Sequence, residues 1–373
     1  MEAKSMSRNG SIKEAILGIY LKERPHIISN VLGFEVHYSA LEQRHGQHNI
    51  DLKCVDKKRR IPILFELQLG KATVAYQKRV KKMISTTQEG VIVWVALAFD
   101  ATIIEDLKQW LEENQSPYTD FYAISLNEQA LPVLQKLNSL YKLDIYNQLS
   151  LLDDVVPLLS IELESKRIPF NHCGHTNIEP IQLDYEQVQD VNRGLLVSLR
   201  KEIPYYLNFH YDKKFNQFDH IVNIGAGKYG VVYRCSAGDS RGKSFVELYF
   251  DKCRMKEYEA FKLLKEQLRK KIHPELNFDK RRIGVYFEPA DTYVATFEKI
   301  TEIFDNMIKT FSPYFYGRKP IEINTSAVQK VEPIKSHREF ADMSFEIDER
   351  DFETEDSYRI RLEELSEIFS MRL

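Results

Sequence analysis

The stretch that most constrains this chain is Asn49 to Met83, NIDLKCVDKKRRIPILFELQLGKATVAYQKRVKKM. It reads as a strand carrying Asp51, a basic turn, a second strand carrying Glu66 and Gln68, and then a basic helix. Side chains alternate across a strand, so Glu66 and Gln68 share one face while Phe65, Leu67 and Leu69 fill the other. On the neighbouring strand Asp51 and Lys53 share a face, between Ile50, Leu52 and Cys54. If the two strands pair as a hairpin, Asp51 and Glu66 meet at one place.

Two carboxylates brought together repel, and a partly buried pair is costly unless a cation occupies the gap. A hard divalent ion with oxygen ligands is the simplest occupant, and magnesium keeps waters that can be activated against a phosphodiester. Lys57, Lys58, Arg59 and Arg60 in the turn, followed by Lys71, Lys78, Arg79, Lys81 and Lys82, are expected to put positive charge beside those acids. A polyanion together with a metal is the implied chemistry.

At these residues the sequence resembles the PD-(D/E)XK nuclease-like superfamily, in the variant where glutamine replaces the lysine of the acid-x-lysine motif. Asp51 matches the first acid, Glu66 the second and Gln68 the third position. More narrowly, ELQLGKA from Glu66 to Ala72, with Arg79 on the next helix, is similar to a group of bacterial nuclease-like proteins. Those carry an acid-x-Gln-Leu-Gly strand and then a helix with a histidine and an arginine. Arg79 fits the arginine, whereas Tyr76 stands where the histidine would be.

The resemblance implies a nuclease in which Asp51 and Glu66, with the Leu67 carbonyl and waters, ligate Mg²⁺ or Mn²⁺. Gln68 would orient a water or a phosphate oxygen, and Lys71 would bring the charge that the missing lysine otherwise supplies. Lys58, Arg59, Arg60, Lys78, Arg79 and Lys82 would hold nucleic acid, with DNA favoured, and Arg79 would either grip a phosphate or brace Glu66 through a fork-shaped contact. Restriction or phage defence is the setting such proteins suggest, and pairing of two sites to cut both strands implies a homodimer. The competing expectation is a catalytically inactive nuclease-fold protein, a nucleic-acid-binding or assembly module that keeps Asp51 and Glu66 for structural reasons.

Further candidates flank the motif. Glu14 is placed to form a capping box with Ser11 on the first helix, and nuclease-like folds often carry an extra acid there. Glu42 at a strand end is a candidate third acid, while His45 and His48 fall in a polar turn from Glu42 to Asn49. His172, Cys173 and His175 are dense enough to suggest zinc but have no fourth ligand at a recognisable spacing.

The fold class read from the order of elements is α/β, with a restriction-endonuclease-like αβββαβ core followed by a second α/β domain. The first domain spans residues 1–140. Its elements are a helix ending near Pro25, strands at Phe34–Leu41 and around Asp51 and Glu66, a helix Thr73–Thr86 and a buried strand Val91–Phe99. A helix Asp100–Glu113, a strand Phe121–Leu126 and a helix Glu128–Leu137 complete it. Residues 141–184 read as a leucine-rich helical segment and linker, and 185–320 as the second domain. Residues 321–373 read as an acidic tail with a terminal helix.

In the second domain a helix Tyr185–Ile203, three strands, a basic helix Met255–Lys271, a strand Arg282–Glu288 and a helix Tyr293–Phe311 repeat the order of the first. Laid on the first half, Cys235 falls on Cys54, Glu247 on Glu66 and Lys252 on Lys71, but Val232 falls on Asp51 and Tyr249 on Gln68. A copy that kept the scaffold and lost the site would explain this. The run GAGKYGVVY, Gly225 to Tyr233, is similar to the glycine-rich nucleotide loop of protein kinases. The lysine strand, catalytic loop and Asp-Phe-Gly that a kinase requires do not follow, so a tight turn between strands is expected, with Lys228 able to touch a phosphate.

With 52 basic and 55 acidic residues the net charge is −3, so any polyanion-binding face must be local. Four scattered cysteines, no signal-peptide pattern and no membrane-spanning apolar run lead to the expectation of a reduced, cytoplasmic protein.

Overall fold

The computed structural model describes residues 12–45, 48–169, 171–175, 183–208 and 220–316. By contacts the chain divides into a unit ending at Ile323 and another, Asn324–Leu373; the latter, with the acidic tail and terminal helix expected there, lies outside the described residues. The architecture is mixed α/β, built on two sheets.

The first sheet has six strands in the order β1 (Val36–His45), β2 (His48–Asp56), β3 (Pro62–Leu67), β4 (Gly90–Ala96), β5 (Thr119–Leu126) and β6 (Leu159–Ser165). β1 to β3 form an antiparallel meander, and β4 and β5 then run parallel to β3. Parallel neighbours need crossover helices, supplied by α3 (Val74–Thr86) and α4 (Ala101–Asn114). Because helices cover both faces, every residue of β4 is buried, as its unbroken apolar run requires.

On one face Cys54, Ile63, Phe65, Leu67, Val93 and Ile124 pack with α1 (Ile12–Glu23), α2 (Pro25–Leu32) and α5 (Ala130–Ser139). On the other, Leu64, Ile92, Trp94 and Ala123 pack with Val80, Met83 and Ile84 of α3 and Leu107 and Leu111 of α4. The Thr73 hydroxyl caps α3 by accepting from the Tyr76 N–H, which fixes where that helix leaves the end of β3.

Three expectations change in this half. Pro25 does not only end the first helix: it begins α2, because proline is suited to the first helical turn. The polar run from Glu42 is no loose turn, since β1 continues to His45 and pairs with β2 down to His45↔His48. The leucine-rich stretch after Tyr141 yields a short helix, α6 (Lys142–Ile145), and a 3₁₀ segment Tyr146–Leu152, and then the edge strand β6. β6 has one neighbour and is mostly exposed, and its short alternation of apolar residues and Glu follows directly on the leucine-rich stretch, which masks it.

The second sheet lies among α7 (Val188–Glu202), α8 (Pro204–Leu207), α9 (Met255–Leu263), α10 (Lys265–Lys271) and α11 (Tyr293–Phe315). Its strands are β7 (Val222–Gly225), β8 (Val231–Ser236), β9 (Ser244–Phe250), β10 (Asn277–Asp279) and β11 (Arg282–Phe287), ordered β10-β11-β9-β8-β7. Every pairing is antiparallel. This overturns the expected copy. In the first half the strand after the helix runs parallel to its neighbour. Here the short β10, unseen in sequence, reverses the chain, so β11 runs antiparallel to β9. The basic helix is broken at Leu264 into α9 and α10.

The two sheets' lobes meet through named polar contacts. The Asn208 amide nitrogen donates to Glu23 at 3.2 Å, and the Lys142 ammonium donates to the Tyr316 phenol at 3.1 Å.

Candidate functional site

The β2–β3 ladder ends at Leu52↔Phe65, so Asp51 and Glu66 are the next residues on the two strands, and Glu66 faces α3 through its contact with Arg79. Asp51 Oδ2 accepts from the Leu67 backbone N–H at 2.7 Å, so the first acid reaches the segment that bears the second. Glu66 is 2% exposed and Gln68 6% exposed. The strand face expected to hold two outward polar groups is therefore roofed by the helix.

α3 supplies the roof. Tyr76, Arg79 and Lys82 are spaced by three and share one edge of it. Arg79 Nη1 lies 2.8 Å from Glu66 Oε1; its side chain is 40% exposed whereas that of Glu66 is 3% exposed. A half-exposed guanidinium thus closes over a buried carboxylate. Tyr76 occupies the same pocket of charge. Burial raises its phenol pKa first, the carboxylates of Glu14, Glu66 and Asp51 raise it further, and Arg79 opposes them. The Glu14 carboxylate accepts from the Leu69 N–H at 3.4 Å, so the acid on α1 also arrives at the end of β3. Its proposed capping partner, Ser11, lies outside the described residues.

Gln68 is the least satisfied group of the set. Its Nε2 donates to the Lys71 carbonyl at 2.6 Å, and its buried Oε1 has no hydrogen-bond partner. Turning the amide over does not relieve this, because a carbonyl can only accept and so must face the nitrogen. A buried acceptor left in this way costs about 1–3 kcal/mol. Such a cost at a site built from two carboxylates points to a donor or cation that completes it.

By chemical type the donors suit a divalent ion of the hard class. Asp51, Glu66 and Gln68 Oε1 are all oxygen donors, and magnesium is commonly held by one or two carboxylates with water filling the other positions. Among the described residues no group of three or more His, Cys, Asp or Glu side chains could hold a metal ion. An ion here would rest on the Asp51–Glu66 pair, on Gln68 and on backbone carbonyls. The same holds against zinc at His172, Cys173 and His175, where the His172 ring instead meets Glu89 at 2.9 Å.

The remaining candidates divide. Lys71, Lys78 and Lys82 are exposed, with Lys78 and Lys82 on the helix that covers the acids. The basic turn, however, is at the far end of the hairpin. Asp56 is five residues beyond Asp51 along β2, a run of about 17 Å. Arg59 there bonds Asp56 Oδ2 through Nε at 2.7 Å and Asp120 Oδ2 through Nη1 at 2.8 Å. Its charge closes a buried triad instead of lying beside Asp51 and Glu66. Arg60 sits in the same turn with a positive φ of 53° and a buried Nε, and Lys58 is exposed.

Glu42 falls in the register of β1 across from Asp51, and its side chain, like that of His45, lies outside the described residues. His48 accompanies the site: its Nε2 lies 2.8 Å from the Thr86 hydroxyl, and burial followed by the charges of Lys82 and Arg79 lowers its pKa. The polar composition around His48 suggests a turn, whereas the residue begins β2. The signal was its position as the first residue of a strand that faces α3.

In the second lobe, Glu247 is a buried structural carboxylate, 3.1 Å from Arg234 Nη1 and bonded by the Tyr286 phenol at 2.5 Å. The glycine-rich run forms the β7–β8 hairpin. A Cβ on Gly227, at φ +85°, would lie 2.3 Å from Cζ of Tyr316, and the Tyr206 phenol donates to the Gly225 carbonyl at 2.7 Å. Close packing against Tyr316 accounts for Gly227, and Lys228 pairs with Glu257 at 3.0 Å.

No family model matches the chain, and neither the curated proteins nor the solved structures include a match. Among the described residues no helix is long and apolar enough to cross a membrane.

Proposed function

We propose that the chain is a metal-dependent nuclease of the PD-(D/E)XK type, built on a restriction-endonuclease-like core and hydrolysing phosphodiester bonds of nucleic acid, with DNA the favoured substrate. The observation that carries this is the orphaned, buried Gln68 Oε1, two residues beyond the buried Glu66 on the segment whose Leu67 N–H donates to Asp51. The meander β1–β3 followed by a helical crossover into parallel β4 supports the core assignment.

Asp51 and Glu66 would hold Mg²⁺ or Mn²⁺ with Gln68. When bound, such an ion withdraws electron density from a phosphate oxygen and makes water a better nucleophile near neutral pH. The residues do the rest. The Leu67 N–H holds Asp51 in its rotamer, and the Lys71 carbonyl holds the Gln68 amide so that its oxygen faces away from the backbone. Lys78 and Lys82 on the exposed edge of α3 would attract the phosphate backbone. Water adds to phosphorus as the bond to one sugar oxygen breaks, and the proton lost by water balances the one gained by the leaving oxygen.

A second reading has its own support. Glu66 is paired with Arg79 and Asp51 with a backbone amide, an arrangement that also suits a catalytically inactive nucleic-acid-binding or assembly module. Incubation with plasmid, linear and single-stranded DNA separates the two. The nuclease cuts in Mg²⁺ or Mn²⁺, stops with chelator, and loses cleavage in Asp51→Ala and Glu66→Ala variants that remain folded. Binding without cleavage of any of these substrates in either ion favours the module.

A further inference from the structure

The resting arrangement of Glu66 has a consequence for how an ion would enter. A carboxylate this buried keeps its charge at a high desolvation cost unless a cation accompanies it. In the structure that cation is Arg79, bound at 2.8 Å from a helix edge that is itself half open to solvent. The guanidinium reaches Glu66 but leaves Gln68 Oε1, two residues along the same strand face, without a partner. One cation therefore satisfies part of an oxygen set large enough for a smaller, doubly charged one. Lys82 and His48 stand beside Arg79, so a released guanidinium would remain at the mouth of the site among other donors.

We propose that Arg79 is the built-in counter-ion of the site: a divalent cation displaces it from Glu66, and the freed guanidinium becomes a phosphate-gripping group. Ion binding and polyanion binding are thereby coupled through one side chain. Without the ion, Arg79 is spent on Glu66; with it, the fork of donors turns outward, where it can hold two phosphate oxygens together. The proposal rests on the metal-site reading above, and the experiment is chosen to separate the two.

The test uses the full chain with Mn²⁺ alone as the probe, at a pH where carboxylates are ionised, followed by calorimetry or by the electron paramagnetic resonance of free Mn²⁺. Arg79→Gln removes the competing charge and should bind Mn²⁺ on the order of tenfold or more tightly than the wild type, since an uncompensated buried carboxylate seeks a cation. Arg79→Lys, which keeps a charge, should lie closer to the wild type. Glu66→Gln should lose Mn²⁺ in either background.

If Arg79→Gln fails to fold, the wild type still answers. The Arg79 Nε–H resonance, identified by its absence in Arg79→Lys, should shift on titration with Mg²⁺ and saturate with it. Equal Mn²⁺ affinity in wild type and Arg79→Gln, with loss only in Glu66→Gln, overturns the exchange while leaving the ion site standing. So does an Arg79 resonance that ignores Mg²⁺ under conditions where Mn²⁺ binds. Folded wild type and Arg79→Gln that both bind no Mn²⁺ sink the metal site and the exchange with it.

Discussion

Replacing Arg59 with alanine separates two roles for the basic turn, nucleic-acid contact and internal clamp. The Arg59 guanidinium makes ionic hydrogen bonds of 2.7 and 2.8 Å to Asp56 and Asp120, and lies 4.8 Å from the centre of the Phe34 ring. Asp56 and Asp120 are each 1% exposed. Deleting the cation leaves two buried carboxylates, each still accepting from two backbone N–H groups: Lys58 and Arg59 for Asp56, Arg167 and Ile168 for Asp120.

Breaking a buried pair costs about 3–5 kcal/mol. The amides that remain offset part of that, whereas the lost contact with Phe34 adds about 0.5–1 kcal/mol. A loss of about 3–4 kcal/mol follows, which for a lobe of this size lowers Tm by roughly 6–16 °C. Both tryptophans, Trp94 and Trp110, belong to this lobe, so their fluorescence in a urea titration reads its unfolding directly. Affinity of the folded variant for DNA should match the wild type. An unfolding midpoint equal to wild type, together with weaker and less salt-dependent DNA binding, would refute the clamp and restore Arg59 as a phosphate contact.

Other substitutions test the remaining geometry. Gln68→Met removes the orphaned oxygen, so stability should stay within about 1 kcal/mol of wild type or rise, while Mg²⁺-dependent cleavage is lost; a large destabilisation with cleavage intact would show that the amide is structural. Gly227→Ala forces a Cβ into the Tyr316 ring and a strained φ, and should destabilise the second lobe by about 1–3 kcal/mol, with no ATP binding in wild type or variant; a nucleotide-dependent rise in Tm would return the kinase-like reading.

His48 supplies a pH dependence. Its folded pKa lies below the ordinary 6.5, because of burial and then the charges of Lys82 and Arg79. The unfolded chain binds the proton more readily, so the contribution of His48 to stability is present above 6.5 and is lost as pH falls through the folded value. In an NMR titration Lys82→Gln should move the His48 midpoint upward, and an unmoved midpoint would place Lys82 away from it.

How much of this was legible in the sequence depends on how local the cause is. Asp51, Glu66 and Gln68 were readable as neighbours because strand alternation and one tight hairpin bring them together, and Arg79 because a helix follows within a few residues. Arg59 was not, since its deciding partner Asp120 is 61 positions away in β5. The burial of Gln68 needs the α3 roof, which periodicity alone does not aim. β6 and β10 escaped notice for different reasons. A seven-residue edge strand that follows a leucine-rich stretch is masked by it, and a three-residue strand offers too little pattern to read. That omission mattered, since β10 reverses the chain and makes the second sheet antiparallel, the opposite of what a repeated core requires. The glycines after β7 looked like a phosphate loop because their actual neighbour, Tyr316, comes from the end of α11.

The most direct measurement of the ion site is anomalous scattering from Mn²⁺-soaked crystals of the full chain. A metal site on these strands gives a peak about 2.0–2.3 Å from oxygens of Asp51 and Glu66, with Gln68 Oε1 turned to it and Arg79 withdrawn from Glu66. Crystals that take up manganese only elsewhere, with Arg79 still seated on Glu66, would contradict it.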